Sequence, residues 1–164
     1  MLIRMSFLGK WPWNCGLNFE LRYVVNVNLK FSSIGGSRPF CGGSLISSTT
    51  VLTAAHCKQD VSNFKVVVGD HDVTVADGEI SVTPQEWTNH PNYISTTKGN
   101  DFAIITLASP VTFSSAVGTI CLPSASESCE NLLATITGWG TTSYQGTQPN
   151  ILKKVIQQEY CRMS

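Results

Sequence analysis

The residues best suited to chemistry lie in one stretch, Cys41-Gly-Gly-Ser-Leu-Ile-Ser-Ser-Thr-Thr-Val-Leu-Thr-Ala-Ala-His56-Cys57. Two cysteines there bracket a strand, a turn and a small-residue run that ends in a histidine. An imidazole titrates near neutrality and can act as a general base, provided its nitrogen is held within hydrogen-bond reach of the proton it takes. If Cys41 and Cys57 pair, they close a loop of about 17 residues, remove roughly 3 kcal/mol of unfolded-chain freedom and fix the backbone beside His56. A lone histidine is more often a surface or satisfied core residue, and by residue type alone Asp101 is a loop or cap residue. No Gly-x-Ser-x-Gly nucleophile turn occurs, and no Cys-x-x-Cys pair supports a zinc or thioredoxin-type site.

The elements that must position these groups read as strands. Residues 23–31 alternate apolar and polar side chains, the period of a half-buried strand, and Gly35-Gly36 within 32–37 marks a hairpin turn into a partner at 40–47. Further strands are expected at 50–52, 64–68, 79–83 and 102–107, the last two flanking a polar loop with Pro91, Gly99 and Asn100. Helix signals are poor. Only 54–57, too short for more than a turn, and 151–158 lack strong breakers. This is the rhythm of a small antiparallel barrel.

Composition sets the outer bounds. The chain has 164 residues, enough for one domain plus a remnant, and 42% are hydrophobic, enough for a sizeable core. Lysine plus arginine and aspartate plus glutamate number 11 each, so no net field recruits nucleic acid or an anionic membrane. No stretch approaches the roughly 20 apolar residues of a membrane span. Six cysteines fit structural disulfides in an oxidising compartment, although residues 1–10 hold no apolar run of signal-peptide length.

Thr53-Ala54-Ala55-His56-Cys57, following Cys41-Gly42-Gly43-Ser44, resembles the histidine motif of the trypsin and chymotrypsin-like serine endopeptidases. The likeness continues in order through Trp11-Pro12-Trp13, Asn89-His90-Pro91-Asn92-Tyr93, Asn100-Asp101-Phe102-Ala103-Ile104, Cys121-Leu122-Pro123 and Thr137-Gly138-Trp139-Gly140. It implies an all-β, chymotrypsin-like antiparallel β-barrel fold, with the first barrel essentially complete and the second only begun. It implies that His56 is a catalytic base, that Asp101 is the carboxylate orienting it, and that Cys41 and Cys57 form a disulfide. Protein or peptide substrates and secretion follow from the same resemblance. His71 and His90 fall at a surface loop and a structural His-Pro turn. Asp70, Asp72, Asp77 and Glu79 match a loop that binds calcium in some relatives, an ion that hard oxygen ligands at short spacing suit. Ile80 stands where a final acidic ligand is expected, so a solvated acidic loop is the favoured reading and no cofactor is assigned.

The resemblance divides the chain into a leader at 1–10, a first barrel at 11–123 with an atypical insert around 14–34, a connection at 124–131 and the first part of a second barrel at 132–164. Departures from the family pattern matter for function. No Gly-Asp-Ser-Gly-Gly motif, which carries the nucleophile and the oxyanion-hole amides in that family, is present. Ser33-Ile34-Gly35-Gly36 imitates the family's activated amino terminus but lies too close to Cys41. Cys15, Cys121, Cys129 and Cys161 have no assigned partners. The expectation is a serine endopeptidase sequence that supplies only the histidine and aspartate and is inactive alone. A non-catalytic binding homologue or an incomplete gene product is the alternative.

Overall fold

The computed structural model describes residues 8–9, 27–31, 38–120, 122 and 132–159. Ten strands run through the described residues: β1 (Leu8–Gly9), β2 (Val27–Phe31), β3 (Cys41–Ser47), β4 (Thr50–Thr53), β5 (Phe64–Val68), β6 (Ile80–Val82), β7 (Pro84–Asn89), β8 (Ala103–Leu107), β9 (Leu132–Gly138) and β10 (Lys153–Glu159). Trp11-Pro12-Trp13, the turn at 32–37, the connection at 124–131 and Cys15, Cys121, Cys129 and Cys161 lie outside the described residues. No described helix is long and apolar enough to cross a membrane.

β2 to β8 form one antiparallel sheet in the order β6-β5-β2-β3-β4-β8-β7, and β1, β9 and β10 form a second in the order β1-β9-β10. β6 and β7 occupy opposite edges of the first sheet, yet only Thr83 separates them in sequence. The sheet must therefore curl until its edges meet. Phe64 of β5 and Trp87 of β7 pack edge-on with ring centroids 5.7 Å apart, and Phe40 packs edge-on against Phe64 at 5.7 Å. The chain is all-β, and this curled sheet agrees with a chymotrypsin-like barrel.

Period-two alternation fills the barrel. Cys41 and Leu45 of β3, Val51 of β4, Phe64, Val66 and Val68 of β5, and Ala103, Ile105 and Leu107 of β8 are buried in one core cluster. Leu29, Leu45, Val51, Phe64, Val66, Val68 and Ile105 are excluded from water altogether, and burial of such side chains is the main drive to fold. Val27 and Leu29 place β2, which falls within 14–34, in the middle of the sheet. Gly43 is required by close approach: a Cβ there would lie 2.8 Å from Val51 Cγ1 and 2.9 Å from the Leu52 carbonyl oxygen. That carbonyl belongs to the β3–β4 ladder and cannot yield cheaply. Gly43→Ala is expected to cost about 1–3 kcal/mol through overpacking, read as a lower urea midpoint; an unchanged midpoint would show that the ladder has slack.

Two expectations need correction. The polar loop between 83 and 102 contains β7, whose pairing with β8 shifts register between Pro84 and Glu86. The bulge leaves Pro84 and Trp87 buried at a spacing of three, hiding the two-residue period by which a strand is recognised. Residues 151–158, one of the two stretches without strong breakers to a helix, contribute β10 instead. β10 pairs with β9 from Lys153↔Gly138 to Glu159↔Leu132, so a ready partner overrides local propensity. The stretch 54–57 gives a single 3-10 turn, Ala55–Cys57, in line with its length.

Candidate active site

The 3-10 turn follows β4 immediately. Cys57 N–H donates to the Ala54 carbonyl at 3.2 Å and Lys58 N–H to the Ala55 carbonyl at 3.1 Å. Ala54 and Ala55 are buried, while His56 is turned outward. Cys57 is bonded to Cys41 at the start of β3, with a Cα–Cα distance of 6.2 Å. The turn is thus tied at both ends, by the β3–β4 ladder and by the disulfide.

Asp101 reaches the same place from the other side. Gly99 and Asn100 adopt φ of 78° and 56°, a left-handed region that glycine and asparagine tolerate best. They turn the chain into β8. Because β4 and β8 are antiparallel with Thr53 opposite Ala103, His56, three residues beyond Thr53, and Asp101, two residues before Ala103, emerge at the same end of one ladder.

Two hydrogen bonds join the pair across 45 residues. The His56 main-chain N–H donates to Asp101 Oδ1 at 2.9 Å, and His56 Nδ1 lies 2.7 Å from Asp101 Oδ2. An ionised carboxylate only accepts, so in this contact Nδ1 carries the proton, and in the neutral imidazole Nε2 keeps its lone pair. Nε2 lies 3.5 Å from Cys57 Sγ, a disulfide sulfur with no proton to give. The two side chains are about a quarter exposed, at 27% and 25%, leaving Nε2 able to accept a proton from a group brought to it. Tyr93 packs against the barrel core nearby. Desolvation first, and the negative charge of Asp101 second, push its phenol above the usual value.

The other histidines stand apart. His90 Nδ1 accepts from the Asn92 main-chain N–H at 3.2 Å, and its ring lies 4.4 Å from that of Phe102. His71 uses its main chain: its carbonyl accepts from Leu152 N–H at 2.9 Å and from Trp139 Nε1 at 3.3 Å. Trp139 Nε1 also donates to the Asn150 carbonyl at 3.1 Å.

Sequence reasoning missed this docking role of the acidic loop. Val73 N–H donates to the Asn150 carbonyl at 3.0 Å, and Asp72 forms an antiparallel bridge with Ile151. Arg38 was missed too. Its guanidinium donates to the Gln148 and Pro149 carbonyls at 3.1 and 3.3 Å and to Asn150 Oδ1 at 2.6 Å. The only available signal was the family-like run Gln148-Pro149-Asn150-Ile151-Leu152, which carries no hint of its partners.

The acidic side chains do not converge. Asp72 Oδ1 accepts from the hydroxyl and N–H of Thr74, the hydroxyl first, which hold its carboxyl below the usual carboxylate range. Asp77 Oδ2 accepts from His71 and Asp72 N–H groups, and Glu79 Oε2 from Asp77 N–H. Among the described residues the one cluster of three candidate metal-ligating residues is Cys41, His56 and Cys57, and its two sulfurs are bonded to each other.

Residues 9–164 match the family model described as Trypsin. The chain is 35% identical over 158 residues to trypsin of Sus scrofa, covering 93% of this chain and 64% of that protein. It is 31% identical over 159 residues to serine proteinase stubble of Drosophila melanogaster, covering 93% of this chain and 19% of that protein. The chain spans less than two thirds of the length of either relative.

Proposed function

The chain belongs to the trypsin family, and from that premise we propose that it carries the histidine and aspartate of a serine endopeptidase site, with His56 as the general base and Asp101 as the residue that orients it. The observation supporting this most directly is the 2.7 Å contact between His56 Nδ1 and Asp101 Oδ2, braced by the 2.9 Å bond from the His56 main chain. In the reaction, a serine hydroxyl gives its proton to His56 Nε2 while its oxygen bonds to the scissile carbonyl carbon. The tetrahedral intermediate then breaks its C–N bond, and the imidazolium returns the proton to the leaving amine. Water repeats the sequence on the acyl-enzyme. Asp101 holds the reactive tautomer and stabilises the imidazolium throughout.

The nucleophile has no counterpart in these 164 residues. We therefore read the polypeptide as inactive alone and the endopeptidase activity as belonging to a form that supplies the serine. Protein or peptide substrates and secretion accompany that reading. The alternative reading is a non-catalytic homologue that binds a partner through its barrel. Sequencing the transcript separates them: an open frame continuing into Gly-Asp-Ser-Gly-Gly is expected for the endopeptidase, and a genuine stop after Ser164 would overturn it in favour of the second.

A further inference from the structure

We infer that the ammonium of Lys30 is the built-in cation of the loop that begins at Asp70, occupying the charge position that calcium would need and holding the loop in register against residues 150–152 without any metal. Asp70 is buried, with a side chain only 1% exposed, and Lys30 Nζ lies 2.6 Å from its Oδ2. The amide of Asn28, also buried, donates to the same oxygen at 3.0 Å. Both partners come from one face of β2. Val27 and Leu29 alternate into the barrel core, so Asn28 and Lys30 project from the opposite face onto Asp70.

A calcium ion does not fit this arrangement. It takes six to eight oxygen ligands at about 2.3–2.6 Å, and the only fully buried carboxylate of the loop already has an ammonium and an amide N–H on one oxygen. Asp70 Oδ1 has no hydrogen-bond partner, but an ion placed on it would sit within a few ångströms of Lys30 and be repelled. Asp77 and Glu79 are turned onto N–H groups of their own loop, and the Ile80 side chain offers no ligand atom. Cation and anion therefore come from the same chain.

The anchor acts on the junction of the two sheets. Asp70 immediately precedes His71, whose carbonyl accepts from Leu152 and Trp139, and Val73, three residues on, donates to Asn150. Fixing Asp70 fixes where this segment meets its partner strip. Lys30 is thus a positioning residue for the junction, and the claim is independent of catalysis.

The test uses the 164-residue chain and needs no activity. Its Tm in millimolar calcium and in chelator should differ by less than about 1 °C, since a ligand that does not bind the folded state cannot stabilise it. A calcium-dependent rise of several degrees would overturn the inference, and this measurement stands whether or not any variant folds. Lys30→Met, which leaves the buried Asp70 without its cation, should lower Tm by about 10 °C and speed hydrogen exchange at the Val73 and Leu152 amides. Adding Asp70→Asn should recover much of that loss, as coupled partners do, and Lys30→Arg should retain most of the wild-type Tm. A Lys30→Met chain that melts and exchanges like wild type, or a double variant whose losses simply add, would also overturn it.

Discussion

Exposed to a fluorophosphonate probe, the purified 164-residue polypeptide should remain unlabelled, and arginyl, lysyl and aromatic esters should hydrolyse no faster than in buffer. Fluorophosphonates report a serine whose hydroxyl is deprotonated as it attacks, which requires a base within hydrogen-bond reach. Among the described residues, His56 hydrogen-bonds to Asp101 and contacts Cys57, with no serine hydroxyl at Nε2. The Gly-Asp-Ser-Gly-Gly segment that would also supply preorganised amides for the developing oxyanion is absent from the sequence. Triad-deleted proteases retain roughly 10³- to 10⁴-fold catalysis over water because the oxyanion hole and binding site survive. On the proposed reading those parts go with the absent segment, so the entire enhancement, on the order of 10⁶-fold or more for enzymes generally, should be lost. Stoichiometric labelling of a serine that disappears in His56→Ala would refute this and reveal an unrecognised nucleophile.

Removing the Cys41–Cys57 disulfide should lower stability by an amount comparable to the loss of Lys30. Its partners are 16 residues apart and both are buried, and the loop-closure model assigns such a bridge about 3 kcal/mol. For a domain of this size that corresponds to a fall in Tm of roughly 6–12 °C. Cys41→Ala with Cys57→Ala is the suitable variant, because it removes the bridge without leaving a buried unpaired thiol. A local effect should accompany the global one. The 3-10 turn at Ala55–Cys57 would keep its attachment to β4 and its bonds to Asp101 but lose its tie to β3, so the His56 main-chain amide should exchange faster with solvent although Asp101 is untouched. Calorimetry and amide exchange measure the two effects, and mass spectrometry of a non-reduced digest of the parent chain should find the two cysteine peptides linked. An unchanged Tm in the double variant would mean that the barrel holds the turn without the bridge.

Legibility in the sequence followed the range of the interaction. The strands β3, β4 and β8 alternate between core and outside, and β5, Phe64–Val68, coincides with the expected 64–68 although three valines in a row are buried there. β7 was not visible, because its bulge and Pro84 break the alternation. For 151–158 the local signal was silent on strand pairing, which β9 decided.

The same division runs through the site. His56 and the two cysteines sit in one short run, so the resemblance of that run to the family motif could single them out. Asp101 by type alone was a loop residue, and only the resemblance singled it out. What joins it to His56 is the pairing of Thr53 with Ala103, a contact between strands about 50 residues apart. Lys30 and Arg38 were not singled out in the sequence, because a lone cation has the same local pattern whether it meets water or another loop. The sequence by itself determined the alternation that builds the barrel and the motif that carries the histidine, since both are local patterns in residue type. The tertiary structure decided which charges meet: the curl of one sheet, closed at Thr83, brings β2 under Asp70 and sets β4 beside β8, and pairings of that kind depend on three-dimensional proximity, which local sequence does not encode.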